Sequence, residues 1–198
     1  MTVRVYVEGG GDHRGGELAT QARQAFSTLI HKATGQKVAV VACGGRSQTL
    51  DAWKTRCSQH PGDVNLLLVD SEAPVRDGED PVTHLRRLEA WEFPADVPRS
   101  RVHLMTQVME TWLIADPDAL ARVFGKHFDK SKLTSWPQLE AVAKDALFEA
   151  LKKATTRKPY AKGAHSFKVL AELDPARLQA ACPSAMRFFG TIIAEKSR

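Results

Sequence analysis

This sequence is poor in cysteine and has no long apolar run. Its 3 cysteines, Cys43, Cys57 and Cys182, are widely spaced and form no C-x-x-C pair. That pattern argues against a disulfide framework and against a cysteine-based zinc site. No segment approaches the roughly 20 apolar residues of a membrane-spanning helix. The first residues also lack the basic start, apolar centre and cleavage site of a secretory signal, so we expect a cytoplasmic protein that makes no membrane contact.

The composition is that of a folded protein. Hydrophobic residues make up 43% and charged residues 26% of the 198 residues, which supplies a core and excludes a disordered chain. The net charge of +5 is uneven: residues 126–198 hold 14 Lys and Arg against 7 Asp and Glu, so they carry +7 and residues 1–125 carry −2. A basic end beside an acidic front fits a protein that holds a metal in one part and binds a polyanion with another. A solvated basic surface explains the charge equally well.

Strand and helix patterns alternate in the first half of the chain. A continuous apolar strand, such as VNLLLVD, is expected where helices cover both faces of a sheet, and Gly35 is placed to cap the first helix. Alternation of this kind predicts an α/β fold with a parallel sheet and right-handed βαβ units. The predicted strands are residues 3–7, 37–43, 64–70 and 101–109, and the predicted helices between them are 17–35, 47–60 and 81–91.

Beyond Asp116 the pattern is helical only. Pro117 and Pro175 each follow an aspartate, which is typical of a helix start with Asp as the N-cap and Pro at the first helical position. We therefore predict two parts, an α/β domain over residues 1–115 and a basic helical extension over residues 116–198 that packs on it. The predicted helical segments of the extension are residues 116–125, 137–156, 166–173 and 174–196.

Acidic residues follow the predicted strands at their carboxyl ends, where parallel α/β sheets bind ligands. Glu8 follows the first strand, Asp70 and Glu72 the third, and Glu110 the fourth. On an extended segment a D-x-E spacing places both acids on the same side. Crowded carboxylates stay ionised around a cation, and hard oxygen ligands select Mg²⁺ or Mn²⁺. We predict all four as metal ligands and catalytic residues, although each alone also fits a helix N-cap or a solvent-facing loop residue, and Glu110 an acid that opens the next helix.

Glycines and a basic residue near these acids are candidate phosphate ligands. Gly9 and Gly10 follow Glu8, and because they lack Cβ atoms they allow a ligand to approach the backbone. Arg46 follows two glycines just ahead of a predicted helix, which makes it a candidate phosphate clamp. The role of Asp12 stays open between a further acid of the site and the N-cap of the next helix.

The segment 156–168, TRKPYAKGAHSFK, is basic and contains an aromatic residue. Tyr160 is a candidate for stacking on a base, and His165, near the start of a helix, is the predicted general acid for a leaving oxygen. Trp112, in contrast, is interpreted as a core residue rather than as a stacking platform. A solvated linker is the alternative interpretation of the segment. Its predicted phosphate contacts are Arg157, Lys158, Lys162 and Lys168.

Several motifs together resemble the Toprim domain of primases, of type IA and type II topoisomerases and of overcoming-lysogenization-defect nucleases. VYVEGGGD and LLLVDSE are similar to the Glu-Gly that follows the first strand of that domain and to the D-x-D that follows a later strand. VEGGGD, VDSE, METWLIAD and KGAHSF together are similar to an uncharacterised family of small prokaryotic Toprim-fold proteins. The resemblance spans most of the chain.

The resemblance implies a Toprim-like (Rossmann-like) parallel sheet flanked by helices, which binds Mg²⁺ or Mn²⁺ and acts on phosphodiester bonds. Glu8 would match the Toprim glutamate, as a metal ligand or a general base, and Asp70 and Glu72 would match the metal-binding pair. The chain departs from the pattern in having D-x-E where the domain has D-x-D. This departure leaves a second metal site open.

We therefore expect a Mg²⁺- or Mn²⁺-dependent nuclease whose partner is nucleic acid, either DNA or RNA. The alternative is a non-catalytic module that binds a nucleotide or a protein partner encoded nearby, within a defence or toxin-type assembly. A third hypothesis, an enzyme acting on a small phosphate compound, has no specific pocket motif in the sequence.

Overall fold

The fold is built on one parallel sheet. A computed structural model describes residues 2–11, 16–156 and 159–197 of the chain, so Asp12, Arg157 and Lys158 lie outside the described residues. All strand pairings are parallel, which confirms the predicted α/β class. The strands are β1 Val3–Val7, β2 Ala39–Ala42, β3 Val64–Asp70 and β4 Val102–Met105, in the spatial order β2-β1-β3-β4.

Helices connect the strands and form most of the chain after β4. The first of them ends as predicted, with Gly35 as its C-cap at φ 67°. No helix in the described part of the chain has both the length and the apolar character needed to span a bilayer. The helices are α1 Glu17–Thr34, α2 Arg46–Gln59, α3 Pro81–Glu89, α4 Met109–Ile114, α5 Pro117–Phe124, α6 Lys144–Ala154, α7 Ala164–Glu172, α8 Pro175–Ala181 and α9 Pro183–Lys196.

Helices cover both faces of the sheet, as the side chains of β3 illustrate. Leu66 and Leu68 point into a core that includes residues of α1, α4, α5, α7 and α9. Leu67 and Val69 point to the opposite face, where α2 and α3 pack. Every residue of β3 is buried. The strand is therefore a continuous apolar run rather than an alternating one.

The C-terminal helices share their core with the sheet. Phe188 and Phe189 of α9 are fully buried and belong to the same apolar cluster as Val5 of β1. Trp112 is also fully buried, with its ring centroid 6.3 Å from that of Phe188 and 6.2 Å from that of Phe189. This confirms that Trp112 is a core residue. The helices after residue 115 thus pack on the sheet, while the predicted boundary at residues 115/116 stays a prediction.

The two predicted Asp-Pro helix starts are confirmed. The Asp116 carboxylate accepts hydrogen bonds from the N–H groups of Asp118 and Ala119 at the start of α5. Asp174 caps α8 in the same way, since it accepts from Ala176. Asp116 also accepts the N–H of Asp174 at 3.0 Å. This single buried carboxylate therefore joins the starts of α5 and α8.

The predicted bounds were wrong in three places, one of which is the segment 174–196, since it forms two helices, α8 and α9, that are separated at Cys182. The strand predicted over 101–109 ends at Met105, because the Gln107 N–H donates to the Thr111 hydroxyl (3.1 Å) and the chain turns into α4. The helix predicted over 137–156 begins only at Lys144. Ahead of it, Leu139 is buried and Glu140 accepts the N–H of Ser184 at 2.9 Å. These tertiary contacts outweigh the local helical propensity.

Candidate metal centre

The candidate site lies where the strand order reverses. From β1 the chain crosses to β2 on one side and then returns to β3 on the other, so β1 and β3 are neighbours at the centre of the sheet. In open α/β sheets the crevice outside the carboxyl ends at such a switch point is the usual ligand site. Glu8 directly follows β1, and Asp70 is the last residue of β3.

Three of the predicted acids converge at this point. Glu8, Asp70 and Glu72 each offer a carboxylate oxygen, and these oxygens all lie within 4.8 Å of one another. The local reasoning for Glu72 was wrong, because this residue is not extended but has φ 61°. Its N–H donates to the carbonyl of Gln107 at 2.9 Å. That bond holds the turn which directs Glu72 toward the other two acids.

Asp70 is the most perturbed member of the cluster. It is 4% exposed, and its Oδ1 atom has no hydrogen-bond partner within the described part of the chain. Burial raises its pKa well above the usual value, and the negative charges of Glu8 and Glu110 raise it further. A buried carboxylate with an unbonded oxygen beside other acids is stabilised most directly by a cation.

Arg46 is bonded to the acidic cluster and is not oriented toward solvent. Its Nη1 atom donates to Glu8 Oε2 at 2.9 Å and to the main-chain oxygen of Asp70 at 2.7 Å. The remainder of the guanidinium bonds the Glu89 carboxylate and lies 5.1 Å from the centroid of the Trp91 ring. Burial raises the pKa of Glu8, and Arg46 opposes that shift. In the structure, Arg46 anchors Glu8, and its predicted contact with a phosphate stays a prediction.

Two lysines of the helical region lie near the acids. Lys144, in the first turn of α6, donates to Glu72 Oε2 at 2.9 Å. Lys162 lines the cavity next to the acids, and its charge acts to lower the pKa values of Asp70 and Glu8. Sequence reasoning proposed Lys162 but missed Lys144. Nothing in the local sequence distinguishes Lys144 from other lysines on the surface of a predicted helix.

Glu110 occupies a different position from the other three acids. It lies in the first turn of α4, is fully buried, and accepts the Tyr160 hydroxyl at 2.7 Å. Tyr160 and Ser166 are 2.6 Å apart, and Ser166 accepts the Gly163 N–H at 3.0 Å. Since the Tyr160 proton goes to Glu110, Ser166 donates to Tyr160. Glu110 therefore opens a helix and holds the KGAHSF turn, and Tyr160 is engaged in this network rather than displayed for base stacking.

The glycines after β1 have packing reasons. The Gly9 N–H donates to the Gly44 carbonyl at 2.8 Å, and the Gly44 N–H donates back at 3.1 Å. A Cβ atom on Gly10 would lie 2.5 Å from Ala19 Cα in α1. The Gly9 N–H is therefore engaged in this bridge, whereas both glycines still line the cavity.

The last two candidates lie on α7. His165 accepts the Ala161 N–H at 3.1 Å through Nδ1, and its ring centroid is 5.1 Å from that of Phe124. Lys168 is exposed. Neither belongs to the set of described residues that line the cavity beside the acids. Their roles as general acid and phosphate ligand stay predictions.

The cavity beside the acids has a volume of about 310 Å³. A larger cleft of about 810 Å³ lies between residues 74–81 and α9, and its walls include His103 and Arg187 but none of the three converging acids. The smaller cavity is therefore the one that adjoins the converging acids. It is lined by Glu8, Gly9, Gly10, Gly11, Leu18, Gly44, Gly45, Asp70, Met105, Met109, Lys162, Gly163 and Phe167.

Sequence comparison assigns the chain to a family. The profile of a domain of unknown function, DUF4276, matches residues 7–193. The chain belongs to this family. Comparisons with curated proteins and with solved structures give no significant match.

The DUF4276 match extends over both the sheet and the C-terminal helices. It begins just before Glu8 and includes Lys144, Lys162 and the Glu110–Tyr160 network. The converging acids, their cationic partners and the adjoining cavity thus all lie within one DUF4276 domain. The candidate site is therefore formed by the domain itself.

Proposed function

We propose that this DUF4276 protein is a divalent-metal-dependent nuclease that hydrolyses phosphodiester bonds of DNA or RNA. The observation that carries the proposal is the convergence of three carboxylates, whose oxygens lie within 4.8 Å of one another, at a buried aspartate, Asp70, whose Oδ1 atom has no hydrogen-bond partner among the described residues. The resemblance of VEGGGD and VDSE to the Toprim motifs supports the same reaction class. A cytoplasmic location belongs to this proposal, and the free thiols of Cys43, Cys57 and Cys182 agree with a reducing compartment.

The donor set fits Mg²⁺ or Mn²⁺. Glu8, Asp70 and Glu72 supply only oxygen ligands, which these hard cations prefer. Oxygens that share one Mg²⁺ ion lie about 3 Å apart if adjacent and about 4.2 Å apart if opposite, given bonds of about 2.1 Å, so oxygens within 4.8 Å of one another would have to move closer together by side-chain rotation to share the ion. When bound, the ion would polarise a phosphate oxygen and lower the pKa of an attacking water. We leave Glu110 out of the ligand set, because it is not among the acids whose oxygens lie within 4.8 Å of one another in the described part of the chain.

The chain itself supplies binding and proton transfer. In hydrolysis the water oxygen bonds to phosphorus, one ester P–O bond breaks, a proton leaves the water, and the leaving oxygen takes up a proton to become a hydroxyl. Burial raises the pKa of Glu8, which suits a group that accepts this proton near neutral pH. Arg46 fixes the orientation of Glu8. Lys162, on the cavity wall, holds the phosphate of the substrate.

The test is a nuclease assay with matched variants. Wild-type protein with Mn²⁺ or Mg²⁺ is incubated with labelled single-stranded DNA, duplex DNA and RNA. We expect cleavage that EDTA abolishes and that Asp70→Asn lowers by about 100-fold or more. Glu149→Gln, on the exposed side of α6, is the control and should leave activity within about twofold. The proposal would be contradicted if the wild type left DNA and RNA intact in Mn²⁺ and if Glu8→Gln behaved like the wild type in every measurement.

The two roles of Glu8 are separable in the same series. If Glu8 is a metal ligand, Glu8→Gln weakens Mn²⁺ binding measured by calorimetry. If Glu8 is the general base, the variant binds Mn²⁺ like the wild type and loses only turnover. Equal Mn²⁺ affinity and equal turnover in both proteins would exclude both roles.

A second candidate function is a non-catalytic module that binds a nucleotide or a protein partner encoded nearby. One observation favours it: Arg46 and Lys144 already form ion pairs with Glu8 and Glu72, so two of the three carboxylates have cationic partners. Calorimetric titration with Mg²⁺ separates the hypotheses, since absence of binding favours the module. Copurification of one stoichiometric partner would favour it as well.

A further inference from the structure

The cavity next to the acids is lined by two chemically different sets of side chains. One set is charged and consists of Glu8, Asp70 and Lys162. The other set is apolar, comes from four separate elements, α1, β4, α4 and α7, and lines the part of the cavity that we call the apolar end. These apolar residues are Leu18, Met105, Met109 and Phe167. A ligand that fills the cavity must therefore combine a phosphate or other charged group with an apolar body.

We propose that this cavity receives one unstacked nucleotide, with its base at the apolar end and its phosphate beside Lys162. The inference rests on the proposed function, because that function supplies the metal that would link the phosphate to the acids. It goes beyond that function in naming the substrate unit: a nucleotide at a strand end, in a single strand or flipped from a duplex, rather than a stacked base pair.

The size of the cavity supports a single nucleotide. Its volume of about 310 Å³ lies at the lower end of the range of roughly 300–1,000 Å³ for small-molecule sites. One wall is formed by the glycine backbone at residues 9–11 and 44–45, which presents no side chains. A wall without side chains lets a ligand approach the backbone closely.

Gly9 also explains how the aromatic wall is placed. A Cβ atom at this position would lie 3.2 Å from Cζ of Phe167, closer than ordinary van der Waals contact. Gly9 therefore allows the edge of the Phe167 ring to rest against the backbone turn, and the ring lines the apolar end. Phe167 is 4% exposed, so its orientation is fixed by packing. A fixed aromatic face is the usual platform for an unstacked base.

The phosphate end is suited to an anion. Gly44 and Gly45 line the cavity at the start of α2, a helix of 14 residues whose N-cap, Gly45, has no side chain that could accept from the first N–H groups. Its first N–H groups and the helix dipole favour negative charge nearby. Lys162 is exposed, with its ammonium 5.7 Å from the centroid of the Phe148 ring. The Oδ1 atom of Asp70, which is buried and has no hydrogen-bond partner among the residues that the structure describes, is the independent sign of a ligand at this end.

The test compares phosphates with and without a base. Calorimetry is carried out on Mn²⁺-saturated protein with AMP, ribose 5-phosphate and inorganic phosphate. We expect AMP to bind at least about 10-fold more tightly than ribose 5-phosphate, because one stacked base contributes a factor of this order. Equal affinity for AMP and ribose 5-phosphate would overturn the inference.

A cavity-filling variant provides the second arm. Leu18→Trp places an indole in the apolar end and should remove the preference for AMP while leaving Mn²⁺ binding unchanged. Leu88→Trp, at a position on α3 that is 40% exposed, is the matched control and should keep the preference. A Phe167→Leu variant that keeps the wild-type preference for AMP would also overturn the inference. Circular dichroism confirms that each variant is folded.

The two proposals fail in different ways. Mn²⁺ binding without a preference for AMP overturns the nucleotide cavity and leaves the metal centre standing. A preference for AMP without Mn²⁺ binding overturns the metal-dependent reaction and leaves a nucleotide-binding module. Each calorimetric titration is therefore decisive for one proposal alone.

Discussion

Replacing Asp70 with asparagine should stabilise the metal-free protein. Asp70 is buried, and its Oδ1 atom has no hydrogen-bond partner among the residues that the structure describes. Burial and the charges of Glu8 and Glu110 raise its pKa well above the usual value. The amide of asparagine has nearly the same shape and no charge. The substitution therefore removes the repulsion and keeps the packing.

Two estimates give the expected gain in the free energy of unfolding. Two unit charges about 5 Å apart interact by about 3 kcal/mol at an effective dielectric constant near 20, and Arg46 and Lys144 offset part of this repulsion. The upper bound, about 4 kcal/mol, is the free energy of protonating at pH 7 a carboxyl whose unfolded pKa is about 3.9. We therefore expect Asp70→Asn to raise the free energy of unfolding by about 1 to 4 kcal/mol at pH 7.

The effect has a defined pH dependence. Because the pKa of Asp70 is raised in the folded state, that state binds the proton more tightly than the unfolded chain. The destabilisation of the wild type by ionised Asp70 is therefore absent below about pH 4 and grows as the pH rises above that value. The gain from Asp70→Asn should disappear near pH 4 and be largest at neutral pH or above.

The assay is thermal unfolding followed by circular dichroism, in EDTA and in MnCl₂. At about 3 °C per kcal/mol, Asp70→Asn should raise the midpoint in EDTA by about 3 to 12 °C, and Asp51→Asn on the exposed face of α2 should not. Mn²⁺ at 100 times its Kd should stabilise the wild type by about 2.7 kcal/mol and Asp70→Asn not at all. A less stable variant in EDTA, or equal stabilisation of both proteins by Mn²⁺, would refute the reasoning.

Three further predictions concern stability. Burial, with the charge of Arg187 adding to it, lowers the pKa of His103 to about 4, so stability present above about pH 6.5 is lost as the pH falls toward 4. Urea titrations should show about 2 kcal/mol lost between pH 7 and pH 5, and His103→Leu should not show this loss. Asp116→Ala should cost about 3 kcal/mol by urea unfolding, because it removes the caps of α5 and the bond to α8; a cost below about 1 kcal/mol would contradict this role. Gly10→Ala should unfold at a much lower urea concentration than the wild type, because the added Cβ would meet the backbone of α1. The control Gly78→Ala also lies at positive φ but has open space around it, so it should lower the free energy of unfolding by only about 1 kcal/mol. Equal losses in the two variants would contradict the packing argument.

The sequence was sufficient to predict the sheet and the meeting of Glu8 with Asp70. Both β1 and β3 have the predicted bounds, because short, strongly apolar runs between turn residues are the clearest strand signal. Parallel strands bring their carboxyl ends to the same edge, so acids after neighbouring strands must lie close together. Glu72 joined them for a different reason, a left-handed turn bonded to Gln107, which no period in the sequence indicates.

The partners of the acids were less predictable. Arg46 was predicted to bind phosphate, but its guanidinium bonds Glu8 and Glu89. Lys144 reaches Glu72 across 72 positions of the chain, and Tyr160 reaches Glu110 across 50. Such pairs depend on how the helices pack against the sheet. Local propensity and spacing carry no information about them.

The central claim is that Glu8, Asp70 and Glu72 share one divalent cation. Anomalous diffraction from crystals of the wild-type protein grown in MnCl₂ tests it most directly. We expect a single anomalous peak in contact with carboxylate oxygens of all three residues, at about 2.2 Å, and no peak there in crystals of Asp70→Asn. A Mn²⁺ ion ligated elsewhere, or no ion at these three acids at saturating Mn²⁺, would contradict the account.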